Sequence, residues 1–335
     1  MAALLAPRLT PGDTIGVFSP SAPATAWVER RTALAEDFLT AMGFHVKHGT
    51  LWGRGAGYRS GSIRERAAEL NALIHDPDVN CVMAAGGGLV SNSLLPYIDY
   101  EAVCRHPKLF VGFSDVTAIL LAILARTGLV TFYGPNLIAT LGEIPPWSEE
   151  SFAYFLDVVQ GGWTVPHELP VPPRWTEDSV GLEEIGFECE AHDNRLVTVR
   201  GGCASGRLIG GNLDTISGFF GTPYMPDIRD GDILFIEDCK DDPERIERAF
   251  SLLKCAGVFE KISGLIMGKH ADYRDRGTGL LPWDAALEII GAYDFPVLAE
   301  FDCGHTKPML TVPLGGVVRL DAGSQRVALM SAVTL

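Results

Sequence analysis

A serine and a glutamate, each at the end of an apolar run, and a histidine in a polar loop are the residues of this sequence best placed to do chemistry. Ser114 closes the run Lys108-Leu109-Phe110-Val111-Gly112-Phe113-Ser114-Asp115 and is followed by the apolar stretch 116–124. The pattern reads as a buried strand that turns sharply into a long helix. Such a turn lifts a hydroxyl out of the backbone and leaves helix N–H groups beside it. Those are the two needs of acyl transfer, an exposed nucleophile and donors for the oxyanion. His305, in the polar loop Asp302-Cys303-Gly304-His305-Thr306-Lys307-Pro308, is a candidate base. A carboxylate to orient it can come from Ile233-Leu234-Phe235-Ile236-Glu237-Asp238, an apolar strand that ends in acids.

Each residue also has a plainer reading. Serine is a preferred helix N-cap, and Gly112-Phe113-Ser114 lacks the closing glycine of a nucleophile elbow. Glu237 and Asp238 read equally as solvated acids at a strand end, and His305 as a loop histidine. Cys303-x-His305 is half of a metal site, but no further ligand motif lies near it, so neither a metal nor a cofactor is expected. The run Gly86-Gly87-Gly88 follows an apolar strand over 81–85. It has neither the dinucleotide spacing nor the lysine of a P-loop, whereas an oxyanion donor from Gly87 or Gly88 suits its place. Trp175 lies in a polar, proline-rich segment, where an aromatic side chain is either core or a lid that stacks on substrate.

The elements that must position these residues alternate. Strands are predicted at 14–18, 44–47, 81–85, before Ser114 and at 130–133. Helices are predicted at 28–42, 63–74, from 91 onward and after Ser114. This alternation predicts an α/β fold with a parallel sheet, whose sites lie at the C-terminal ends of strands. Prolines 166, 170, 172 and 173 and a run of acids, Glu177 to Glu190, mark a linker carrying a loop over the site. Beyond it, strands are predicted at 233–236, 264–267, 317–320 and 327–330. A helix over 243–253 has Asp242 as N-cap and Pro243 at its first position. The expected division is a nucleophile-bearing domain over 1–165, a linker and substrate loop over 166–204, and a second domain over 205–335.

Composition narrows the class. The chain has 335 residues, 47% hydrophobic, and a formal charge of −15. It is long enough for one large domain or two ordinary ones, and too acidic to bind a nucleic-acid polymer through a broad basic surface. The N-terminal residues lack a signal-peptide pattern, and no stretch approaches the ~18 apolar residues of a membrane span. The seven cysteines are an odd number without a C-x-x-C pair, which favours reduced thiols and a cytoplasmic location.

Taken together the segments resemble the LD-carboxypeptidase family of serine peptidases, peptidase family S66. Within it they are closer to the microcin C self-immunity branch than to the murein tetrapeptide carboxypeptidases. The resemblance rests on Pro11-Gly12-Asp13-Thr14-Ile15-Gly16, Gly112-Phe113-Ser114-Asp115, Phe132-Tyr133-Gly134-Pro135-Asn136 and Gly206-Arg207-Leu208-Ile209-Gly210-Gly211-Asn212. It continues through the Glu237 strand, Gly264-Leu265-Ile266-Met267-Gly268-Lys269-His270 and the His305 loop. It implies a triad of Ser114 as nucleophile, His305 as base and Glu237 as its orienter. It implies oxyanion donors from the N–H of Asp115 and of a glycine in 86–88, with Gly87 and Gly88 as the candidates. Substrate contacts are implied for Trp175, Asn212 and Lys269. The implied fold is an N-terminal α/β sandwich and a C-terminal β-rich, swivelling-type domain, with the site between them in a homodimer. The implied substrate is a small peptide-like or peptidyl-nucleotide molecule, with a murein tetrapeptide as the alternative. A non-catalytic small-molecule binding module is the reading from another class.

Overall fold

The computed structural model describes residues 3–178 and 189–335. Residues 179–188, which hold Glu183, Glu184 and Glu188 of the expected substrate loop, lie outside them. The architecture is α/β, with a largely parallel N-terminal sheet and a β-rich C-terminal part. The first sheet has six strands. Thr131–Tyr133, Leu109–Gly112, Val79–Ala84, Thr14–Phe18 and His45–His48 lie side by side and parallel. The strand before Ser114 is buried at every position. That is the pattern of a parallel strand covered on both faces, whose apolar residues run on rather than alternate.

The second sheet has eight strands. Its centre is parallel: Cys203–Asn212, Ile233–Glu237, Gly264–Gly268 and Val297–Phe301. The strand Cys203–Asn212 is long enough for two jobs. Its first half pairs antiparallel with Val317–Asp321, and its second half pairs parallel with Ile233–Glu237.

Two segments cross the division expected from the sequence. Val312–Leu314, from the second half of the chain, pairs antiparallel with Thr131–Tyr133 and closes the first sheet. Pro313 is tolerated there because this is an edge strand. The 166–204 segment is also more than a linker, since His167–Glu168 and Val197–Arg200 supply the two edges of the second sheet.

Helix Thr117–Thr127 has its first eight residues buried and lies between the two halves. Its Thr117 hydroxyl accepts the backbone N–H of Asn212 at 3.0 Å. Helix Pro243–Cys255 has Asp242 as its N-cap, whose carboxylate accepts the Arg245 N–H at 3.0 Å, with Pro243 at its first position. Among the described residues, no helix is long and apolar enough to cross a membrane. The C-terminal ends of parallel strands from the two sheets come together. Ser114 follows one such strand and the Gly86 segment another. Asn212 and Glu237 end two strands of the second sheet, and the His305 loop follows a third.

Candidate active site

Ser114 is not an N-cap. A cap residue takes extended dihedrals and accepts an N–H from the next turn. Ser114 instead has φ 63°, and no side-chain cap bond is made at this turn. The left-handed conformation costs an L-residue roughly 1–2 kcal/mol, so its surroundings must impose it. The Ser114 N–H donates to the Tyr133 hydroxyl at 2.9 Å, and the Thr117 hydroxyl donates to the Ser114 carbonyl at 2.6 Å.

Beside this turn, the Asp115 carboxylate accepts the N–H groups of Val90 and Ser91, both at 2.9 Å. The clamp draws the glycine segment against the serine. A Cβ on Gly87 would stand 3.0 Å from Ser114 Oγ and 3.5 Å from the Asp115 nitrogen. The Asp115 N–H heads the turn, where the first donors have no intrahelical partner. Gly88 has φ 152°, and a Cβ there would run into the Ser21 side chain.

Of the two acids that end the Ile233–Glu237 strand, Glu237 meets the histidine. Its Oε2 lies 2.7 Å from His305 Nδ1, with the carboxylate fully buried and the imidazole 18% exposed. The chain before His305 must come very close, since a Cβ on Gly304 would stand 2.5 Å from that same oxygen. The other oxygen, Oε1, accepts the Tyr133 hydroxyl at 2.5 Å and the Asn212 amide at 3.1 Å.

Charge sharpens the pair. Burial works against a charged imidazole, but the Glu237 carboxylate outweighs it and holds His305 well above the ordinary histidine value. Burial alone would push Glu237 up, yet His305, Tyr133 and Asn212 together hold it below the usual carboxylate range. Asp238 turns away, accepting from Asn212 Nδ2 and from the backbone of Asp214 and Cys239. Burial, with Glu237 and Asp241 nearby, raises it to about 6.

The ring of Phe113, next to Ser114, meets the His305 ring edge-on at 5.0 Å between centroids. Nδ1 is turned to Glu237, which leaves Nε2, and the Cys239 side chain lies within reach of the same ring. The arrangement offers a strained serine, an imidazole oriented by a buried carboxylate, and a helix-start N–H beside a glycine. Cys303 is not part of it: the thiol is buried, and its sulfur lies 3.9 Å from the Tyr133 carbonyl oxygen. Among the described residues, no group of three or more His, Cys, Asp or Glu is placed to hold a metal.

The expected substrate contacts fare differently. Trp175 is half-buried, and the next residue bridges to the histidine loop, Thr176 and Lys307 exchanging backbone hydrogen bonds at 2.9 Å. The bridge ties the chain at Trp175 to the loop that carries His305, and the indole lies 5.5 Å from the His192 ring. Lys269 lies behind the indole. Its ammonium is 5.3 Å from the Trp175 ring, donates to the Glu300 carbonyl at 2.6 Å, and pairs with Asp302 at 2.6 Å with both side chains buried. Asn212 is likewise committed to protein partners. Its amide nitrogen serves Glu237 and Asp238, and its oxygen accepts the Thr215 N–H at 3.0 Å and hydroxyl at 2.9 Å. Lys269 and Asn212 thus lie beneath the tryptophan and behind the glutamate, each held by protein partners. Tyr133 was missed by the sequence reading as a site residue, because it ends an apolar strand and looks like core.

The sequence matches the family model for the LD-carboxypeptidase N-terminal domain over residues 15–134 and that for the LD-carboxypeptidase C-terminal domain over residues 205–320. A putative carboxypeptidase of Vibrio cholerae is 47% identical, over 95% of this chain and 96% of that protein. The microcin C7 self-immunity protein MccF of Escherichia coli is 42% identical, over 97% of this chain and 95% of that protein. Solved structures of MccF, 41% identical, cover 99% of this chain and 100% of theirs. The TM-score is 0.97 for the wild-type apo state and 0.96 for a complex with aspartyl sulfamoyl adenosine.

Proposed function

We propose, from the premise that this chain belongs to the LD-carboxypeptidase family, that Ser114, His305 and Glu237 form a triad hydrolysing the amide of a peptidyl- or aminoacyl-nucleotide. Membership makes the chain a serine carboxypeptidase-type hydrolase. The observation that carries the assignment of roles is the chain of contacts across the cleft. One hydroxyl, that of Tyr133, touches both the Ser114 N–H and the carboxylate that orients His305.

In this reading Ser114 Oγ attacks the amide carbonyl carbon and its proton passes to His305 Nε2. The imidazolium is stabilised by Glu237, which keeps its charge and does not itself take the proton. The carbonyl oxygen becomes an oxyanion facing the N–H of Asp115 and the Gly87–Gly88 backbone, groups already oriented before reaction. As the carbon–nitrogen bond breaks, His305 returns the proton to the leaving nitrogen. Water then attacks the acyl-serine, His305 takes its proton, and the acid departs as Ser114 is restored.

His305 delivers a proton to the leaving group, so that group lies on the His305 side, where Trp175 is tied. An indole there suits a leaving group with a flat ring. The nucleotide reading is further supported by the MccF complex, since that protein binds aspartyl sulfamoyl adenosine. A nucleophile-bearing domain over 1–165, to whose sheet Val312–Leu314 adds an edge strand, a cytoplasmic location and a homodimer belong to the same proposal.

The test is to incubate the protein separately with an aminoacyl-nucleotide and with a murein tetrapeptide and to identify products by mass. Release of free nucleotide from the first supports the reading. Release of D-alanine from the second alone would replace it with the murein one. Loss of activity with chelator, restored by zinc, would overturn the triad.

A further inference from the structure

We infer that the Tyr133 hydroxyl is a positioning group that sets the nucleophile turn against the glutamate–histidine pair and limits how strongly that pair holds its proton. The inference rests on the triad proposed above.

The direction of each hydrogen bond is forced by chemistry. A backbone N–H can only donate, so Tyr133 Oη accepts from Ser114 at 2.9 Å. An ionised carboxylate can only accept, so the one phenolic proton goes to Glu237 Oε1 at 2.5 Å. Burial, and then the Glu237 charge, hold the phenol far above its ordinary value, so the proton stays on it. Tyr133 ends a strand of the first sheet, and Glu237 ends a strand of the second. A single oxygen therefore keys one half of the site to the other. The ring cannot drift, because it packs edge-on to Phe113 and Phe235, with centroids 6.4 and 5.4 Å away.

Two consequences follow. The Ser114 N–H is occupied and cannot serve the oxyanion, which leaves that task to Asp115 and the glycine segment. Glu237 also shares its negative charge with a second strong donor, so it attracts the His305 proton less than a carboxylate bonded to the imidazole alone would.

The experiment is Tyr133→Phe in the full chain. It keeps the ring, leaves the Ser114 N–H unpaired, and leaves Glu237 Oε1 with the Asn212 amide as its one remaining donor. It is compared with wild type and Ser114→Ala on the substrate identified above. The expected result is a kcat lower by about 10- to 100-fold, the scale of an unsatisfied buried polar group, with KM within about threefold. The acid limb of kcat/KM should move to higher pH, because a less satisfied carboxylate holds the imidazolium proton more tightly. Placing 3-fluorotyrosine at position 133 strengthens the donor without removing it, and should move the limb to lower pH; this variant carries the test if Tyr133→Phe fails to fold. Wild-type kcat and an unmoved pH limb in both variants, with Ser114→Ala inactive, would overturn the positioning role and leave the triad standing. Near-full activity of Ser114→Ala would overturn the triad and the positioning role together.

Discussion

Glu237→Gln removes one charge and almost no volume, and the surrounding hydrogen bonds dictate how the new amide must sit. Oε1 of Glu237 receives two donors, Tyr133 Oη at 2.5 Å and Asn212 Nδ2 at 3.1 Å. Asn212 cannot turn its amide over, because its oxygen already accepts the N–H and the hydroxyl of Thr215. Tyr133 cannot readily reverse, because its oxygen accepts the Ser114 N–H and its proton needs an acceptor. The glutamine oxygen is thus claimed on that side, and its NH2 must face His305 Nδ1. Nδ1 then has to be the acceptor, the imidazole proton moves to Nε2, and no lone pair is left to take the serine proton. This wrong-tautomer trap predicts a loss in kcat/KM of roughly 10³- to 10⁴-fold, about 4–5.5 kcal/mol at ~1.36 kcal/mol per decade.

The pH dependence gives a second reading of the same change. On the proposed mechanism His305 works as a neutral base, so activity should fall as pH is lowered through its value, which Glu237 holds well above the ordinary histidine one of 6.5. Stability runs the other way. A raised histidine contributes fully below its unfolded value, and that contribution is lost as pH rises through the folded value. Both effects should vanish in Glu237→Gln. The assay is hydrolysis followed by product mass across pH 5–10, roughly the span bracketing a raised histidine, beside thermal melts at the same pH values. Activity within tenfold of wild type, with the acid limb unmoved, would refute the tautomer argument.

Ser114→Gly should be inactive yet more stable than Ser114→Ala by about 1 kcal/mol, read from denaturant midpoints, because only glycine relieves the φ of 63°; equal stabilities would show that the turn is unstrained. Gly87→Ala should lower kcat by about 100-fold or more while the protein still melts cooperatively, since its Cβ would come within 3.0 Å of Ser114 Oγ where the oxyanion must form; wild-type kcat would remove Gly87 from the site. Trp175→Ala should slow an aminoacyl-nucleotide by about 5- to 150-fold, the worth of one stacked base, and should affect a substrate without an aromatic group much less; equal losses on both would make Trp175 a packing residue.

Much of this was legible in the sequence, for identifiable reasons. Buried parallel strands leave continuous apolar runs, so the strands before Ser114 and before Glu237 could be placed, and the Asp242-Pro243 helix start was read from capping chemistry alone. Other features depend on partners far away in the chain. Tyr133 closes Val130-Thr131-Phe132-Tyr133, which reads as core, and nothing local says that its hydroxyl meets a glutamate 104 residues on. Val312–Leu314 carries a proline and three residues only, too short to mark as a strand, and its partner Thr131–Tyr133 lies in the first half of the chain. Choosing between Glu237 and Asp238 required knowing which side of the strand end the histidine loop approaches. Lys269 and Asn212 come forward as substrate contacts only through the family resemblance. Their protein partners, Asp302 for one and Glu237 with Thr215 for the other, are seen only in the fold.

The most direct test of the central claim is to catch the covalent intermediate. Wild-type protein is mixed with an aminoacyl-nucleotide, quenched in acid during turnover, digested, and mapped by mass. The account predicts that the peptide containing Ser114 gains the mass of the acyl group minus the departed nucleotide portion, and that Ser114→Ala shows neither adduct nor product. Product formation at the wild-type rate by Ser114→Ala, with no adduct on the wild-type peptide, would contradict it.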